Sequence, residues 1–307
     1  MLAAARAPPA PTMRWKLAAR WGEVVLVPWP SVYRAPMGKR WLVGAALLCV
    51  LVLIAVLVVT QFIDQKKKRE ETQTLLIPEG WRASQVYAAS DKALGVSAGT
   101  TEKAAKRAEL DLPEEADGNP EGYLFPATYP VNDKTTPESL LSFMVNTANT
   151  EFNANNIRHA TQRNGLTVYQ TVNIASVVQA EADTHEDMGK VARVIYNRLR
   201  RDMPLQMDST INYALNRSTV NTSLADTKTN SPYNTYRHKG LTPTPIGNPG
   251  KDAVRATTDP PAGNWLFFVT VKPGDTRFTS DYKEHQKNVE EFNRVQKEAR
   301  EDTSPAG

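Results

Sequence analysis

From Trp41 to Ile63 the chain reads WLVGAALLCVLVLIAVLVVTQFI, 23 residues without a single charge. As a helix this run would be about 35 Å long, enough to cross a hydrocarbon core of about 30 Å with modest tilt. A buried core helix of that length would show a polar face, and this one has none. A cleaved signal peptide has a shorter apolar run, about 7–15 residues, with a small-residue cleavage site soon after. Here Asp64-Gln65 and then Lys66, Lys67, Lys68 and Arg69 follow instead. The pattern predicts a retained transmembrane helix over 41–63, so the rest of the chain lies on one side or the other of a bilayer.

Charge divides at that helix. Of the 37 basic and 33 acidic residues, seven and one fall within 1–40, leaving 30 and 32 beyond it. The basic isoelectric point therefore belongs to a tail, and the larger part of the chain gives no case for a nucleic-acid partner. Close to the apolar run the positive charges nearly balance, with Arg34, Lys39 and Arg40 before it and Lys66 to Arg69 after it. The wider tail favours a cytoplasmic N-terminus and an extracytoplasmic main domain, a single-pass arrangement in a cell membrane. The lone cysteine, Cys49, lies inside the run, so no disulfide framework exists. Four scattered histidines (His159, His185, His238, His285) show no ligand spacing, and neither a metal nor another cofactor is expected.

The fold class expected is α+β. Residues 1–40 read as a basic, disordered tail, 64–73 as a polar stalk, and 296–307 as a disordered end. Over 74–131 a short strand at Leu75–Ile77, a Pro-Glu-Gly turn and an amphipathic helix from about Ser84 precede NPEGYLFPATYPV, an extended return strand. This module is either a LysM-like glycan-binding unit or a docking subdomain. A helix-rich catalytic domain over 132–295 follows. Thr136-Pro137 opens a helix, and Thr167 with Gln170 forms a capping box for TVYQTVNIASVVQAEA. Thr184 caps the next helix, with Glu186 and Asp187 in its first turn. Asp208 caps a short helix, Asn248-Pro249 starts another, and WLFFVTV with RFTS forms a β-hairpin before a last charged helix.

Glu181 stands out on helical geometry. Ile174, Val177, Val178 and Glu181 share one face, while Gln179 points elsewhere. A carboxylate that continues an apolar stripe must be paired, protonated or turned towards a cleft. Burial would raise its pKa, as a general acid near neutral pH requires. The bland alternatives are rotation into solvent or a pairing with Arg198. Asn197 and Arg198 late on one helix, Gln206, Asp208 and Thr210 on a turn, and Tyr233, Asn234, Thr235 and Tyr236 on a long loop supply groups suited to sugars and N-acetyl substituents. For the two tyrosines, ordinary packing beneath a long loop is the competing reading.

In order, IASVVQAEA, VARVIYNRL, PLQMDSTINYAL, SPYNTY, GLTPTPIGNPG, WLFFVTV and EHQKNVEEF resemble the endolytic murein transglycosylase, or YceG-like, family, as do PEGW and PEGYLFP. The likeness covers about residues 74–295. It implies a membrane-anchored lyase that cuts nascent peptidoglycan strands beside cell-wall synthases (penicillin-binding proteins and glycosyltransferases), with Glu181 at the family's catalytic position. Many relatives carry a second Glu where this chain has Gln179, and Thr242 and Thr244 replace residues that are often Pro and Gly.

Overall fold

The computed structural model describes residues 48–61, 73–217 and 222–303. Residues 48–61 form a helix (α1) whose side chains are all exposed. Among the described residues no helix is long and apolar enough to cross a membrane. The remainder of the expected 41–63 span, the tail over 1–40, the stalk up to residue 72 and residues 304–307 lie outside the described residues, whereas 296–303, expected to belong to a disordered end, are helical.

From Gln73 onward the element order is strand β1 (Gln73–Leu76), helices α2 (Ala83–Leu94) and α3 (Thr100–Ala105), a short 3-10 turn, and strand β2 (Thr128–Val131). The helices α4 (Pro137–Phe152), α5 (Asn155–Arg163), α6 (Val168–Glu181), α7 (His185–Arg200), α8 (Asp208–Ala214) and α9 (Lys251–Thr258) follow. Strands β3 (Phe267–Lys272) and β4 (Asp275–Thr279) and helix α10 (Tyr282–Thr303) complete it. Two antiparallel ribbons, β1–β2 and β3–β4, are the only sheets among the described residues, so the fold is helix-rich α+β.

Local sequence chemistry sets three of the helix starts. Thr136 and Thr167 accept the backbone N–H three residues on, and Ser139 and Gln170 return the bond to each cap. Thr184 accepts from Asp187 N–H. Two expectations are corrected. The residue at the cap of α8 is Met207, and Asp208 lies inside the first turn with Oδ1 accepting from Tyr236. Helix α9 starts at Lys251, two residues beyond Pro249, because Asn248 is used elsewhere.

The hydrophobic core is continuous from Leu75 and Val86 through Leu124, Leu141 and Val145 to α6, α7 and α9. Helix α6 lies at its centre, buried on almost every side from Tyr169 to Val178. Asn248, fully buried, fastens the two PEG segments to the later helices. Its side chain accepts from Leu124 N–H (2.7 Å) and donates to Trp81 O (2.8 Å), and its carbonyl accepts from Gly80 N–H (2.8 Å). This docking explains why the expected return strand is confined to Thr128–Val131: the PEGYLFP backbone turns to meet the GNPG loop.

The approach is close enough to require glycine. Gly122 has φ +88°, and a Cβ there would lie 2.6 Å from Pro245 Cγ and 3.1 Å from Val172 Cγ1. Gly122→Ala therefore combines a left-handed backbone with overpacking, and is expected to destabilise by about 2–4 kcal/mol. A lower urea midpoint at unchanged slope is the measurement that checks it.

Candidate active site

Glu181 is the last residue of α6, which places its carboxyl at the negative end of the helix dipole. The residue is half-buried, so its carboxyl is largely desolvated while part of the residue still reaches the surface. One carboxylate oxygen, Oε1, accepts from Ser209 Oγ (2.6 Å) and from Ser209 N–H (3.2 Å). Burial pushes the Glu181 pKa up, the two bonds from Ser209 pull it back, and the nearby Asp208 raises it again. The net direction is upward, towards a carboxyl that stays protonated at higher pH than an ordinary glutamate. Such a group can donate a proton and then, once ionised, accept one.

Gln179 and Glu181 separate cleanly. Gln179 Oε1 accepts from Gly250 N–H at the start of α9 (2.9 Å), whereas Glu181 meets α8. Arg198 does not neutralise Glu181. Its guanidinium donates to Leu266 O (2.6 Å), Pro204 O (3.1 Å), Leu205 O (2.8 Å) and Gln206 Oε1 (3.0 Å), and lies over the Phe267 ring.

The other candidates fall into two groups. Asn197, Arg198, Thr210, Asn234 and Thr235 are buried, and their polar atoms bind the protein itself. Asn197 donates to Gly263 O and Trp265 O, Asn234 to Thr227 O and Thr229 O, and Thr210 to Met207 O, while Thr235 Oγ1 accepts from Met207 N–H. Gln206 is exposed, and Asp208, Tyr233 and Tyr236 are partly so. Tyr236 donates to Asp208 Oδ1 (2.5 Å), and Tyr233 pairs with Thr244 Oγ1 (2.9 Å) and packs on the Tyr213 ring. Gln206 has φ +52°, a left-handed turn immediately before α8. Among the described residues no three metal-ligating side chains gather.

Sequence reasoning passed over Ser209, flanked by the two residues it singled out. A serine at the second position of a short helix reads as helix-start chemistry, and only the fold reveals its partner. It also missed Glu121, buried at 4 % exposure, whose pKa is pushed up to about 7 by burial against the bonds from Ala83 N–H and Tyr213 Oη.

Replacing Ser209 by alanine removes a hydroxyl that favours ionised Glu181, so the pKa of Glu181 should rise further. The alkaline limb of the rate profile, which reports loss of the acid's proton, should then move up by about one pH unit. An unmoved limb would mean that Ser209 does not act on the working carboxyl.

Fold and site together bring one glutamate of raised pKa against the start of a short helix within a helix-rich α+β frame. Residues 55–291 match the YceG-like family, and the chain belongs to that family. It is 38% identical over 173 residues to the endolytic murein transglycosylase of Bacillus subtilis (strain 168), an alignment covering 56% of this chain and 48% of that protein. It is 39% identical over 177 residues to the endolytic murein transglycosylase of Streptococcus pneumoniae serotype 2 (strain D39), covering 56% of this chain and 32% of that one. The matched part thus spans less than half the length of each of these relatives. A crystal structure of a yceG-like protein from Listeria monocytogenes superposes with a TM-score of 0.63 at 26% identity, covering 74% of this chain and 80% of the other.

Proposed function

We propose that this chain is a membrane-anchored lytic transglycosylase that cuts peptidoglycan strands internally at the bond between N-acetylmuramic acid and N-acetylglucosamine. The observation that carries the reading is the Glu181 carboxyl: half-buried, raised in pKa and held by Ser209, on the fold of a family whose matched relatives bear that name. Protonated Glu181 gives its proton to the glycosidic oxygen as the bond breaks. As a carboxylate it takes the proton of the muramic acid's own C6 hydroxyl, which attacks C1 and closes a 1,6-anhydro ring. Water is not consumed, and one carboxyl suffices.

Tyr236, Asp208, Gln206 and Tyr233, which retain exposure, contact the sugar in this reading. Asn197, Arg198, Thr210, Asn234 and Thr235 act through the loops they hold. The apolar run over 41–63 anchors the enzyme with its N-terminus in the cytoplasm, beside the synthases whose strands it shortens. The 74–131 segment, ordered strand–helix–helix–strand, serves as a LysM-like glycan-binding unit ahead of the catalytic domain at 132–295.

One observation keeps a hydrolytic reading in play. Asp208 makes no capping bond and lies near enough to Glu181 to raise its pKa, as the second carboxyl of a hydrolase would. Mass spectrometry of digested strands separates the two. Anhydromuramic ends support the lyase, and reducing muramic ends would replace it by a muramidase.

A further inference from the structure

Helix α8 is only seven residues long, too short to hold its own orientation in water. Two carboxyls, Glu121 buried and Glu181 half-buried, grip it from opposite ends. At its start Ser209 donates to Glu181 at 2.6 Å. One turn on, at the i+4 position of the same face, Tyr213 Oη donates to Glu121 Oε2 at 3.0 Å. Glu121 is fixed in turn by Ala83 N–H on Oε1 (2.9 Å), with Asn248 Nδ2 at 3.5 Å. The Arg82 guanidinium lies 5.1 Å from the Tyr213 ring centroid and donates to Arg217 O (2.7 Å) just beyond the helix.

We propose that Glu121 and Tyr213 are positioning residues for Glu181, fixing the pitch of α8 so that Ser209 remains within donating distance of the reacting carboxyl. The proposal rests on the transglycosylase reading. It also gives the first module a task besides glycan contact, because Glu121, Ala83 and Arg82 all come from residues 74–131. A buried carboxylate costs several kcal/mol in desolvation unless it is paired and hydrogen-bonded. Here both oxygens are used, one on the module's own backbone and one on α8.

The groups that face Glu121 are Arg82 and Ala83 N–H at the start of α2, Tyr87 within it, Tyr213 from α8 and Asn248 from the GNPG loop. Those acting on Glu181 are Ser209 and Asp208, and Tyr236 also feels its charge. Tyr213 is not among the groups that shift Glu181 directly. Any effect of Tyr213 on Glu181 must therefore pass through the helix.

The test uses the full chain with Tyr213→Phe, Ser209→Ala and the double variant. Two quantities are read: the alkaline limb of anhydro-end formation, and the titration midpoint of the Glu181 carboxyl by carbon-13 NMR, assigned by its loss in Glu181→Gln. Tyr213→Phe is expected to raise both by about half a pH unit and to lower kcat several-fold at unchanged KM. In the Ser209→Ala background it should add distinctly less, since only the backbone N–H of residue 209 is then left to be positioned. Should Tyr213→Phe fold poorly, Glu121→Gln, which keeps one acceptor, should move the midpoint the same way by less. A fall in Tm with the midpoint unmoved overturns the proposal, as does an equal shift in both backgrounds. A wild type that forms no anhydro ends counts against the transglycosylase reading alone, because the midpoint still decides the positioning claim.

Discussion

Glu181→Gln is expected to reduce strand cleavage by about three orders of magnitude while leaving the protein as stable as before, or slightly more so. Positioned acid–base groups typically contribute 10²–10⁴-fold, and in the proposed mechanism one carboxyl serves as both acid and base. Glutamine keeps an oxygen for Ser209 Oγ, now 2.6 Å from Glu181 Oε1, and preserves the side-chain volume in a crowded setting. It removes only the titrating proton and the cost of a partly desolvated charge. Because burial raises the pKa of Glu181, ionisation costs folding free energy, and the contribution is lost as pH rises through the raised folded value. The variant lacks that loss, so its thermal midpoint should match or exceed the wild type above neutral pH. Counting anhydromuramic ends by mass spectrometry, alongside a thermal melt, checks both halves. Cleavage within tenfold of wild type would move the acid elsewhere, with Asp208 the first group to examine.

Legibility in the sequence followed the range of the interaction. Signals that span three or four residues, such as the Thr136–Ser139 and Thr167–Gln170 exchanges or the turn between β3 and β4, could be read because both partners lie in one window. The partner of Asp208 is out of reach of a short window: Tyr236, 28 residues away, donates to its carboxylate, and the cap falls one residue earlier, at Met207. The same limit hid Glu121, whose partners Ala83 and Tyr213 are 38 and 92 residues distant. The stripe that singled out Glu181 is weaker than it looks, since α6 is buried almost all round and periodicity cannot rank its faces. What separates Glu181 from Gln179 is the neighbour each meets, α8 for one and the start of α9 for the other. Polar residues clustered on loops looked equally suited to sugar. The fold divides them into those whose atoms already serve backbone carbonyls and those that still face outward.

Arg198 carries the second large effect, and it concerns stability as much as activity. The residue is 5% exposed, and its guanidinium satisfies three backbone carbonyls and the Gln206 side chain from one planar fork. Truncation to alanine leaves those acceptors without a donor and opens a void beneath Phe267, with a combined cost of about 3–5 kcal/mol. For a domain of this size that corresponds to a fall in Tm of roughly 10 °C. Arg198→Lys should recover little, because an ammonium cannot reach Leu266 O on one side and Leu205 O on the other with a fixed spread of donors. The Pro204–Gln206 segment held by Arg198 leads directly into α8 and includes the left-handed Gln206. Loosening it should therefore let Ser209 drift from Glu181, so the alanine variant's residual activity should show a raised alkaline limb below its melting range. If Arg198 served instead as a direct anion contact to the strand, lysine would restore binding, KM alone would change, and the melt would hardly move.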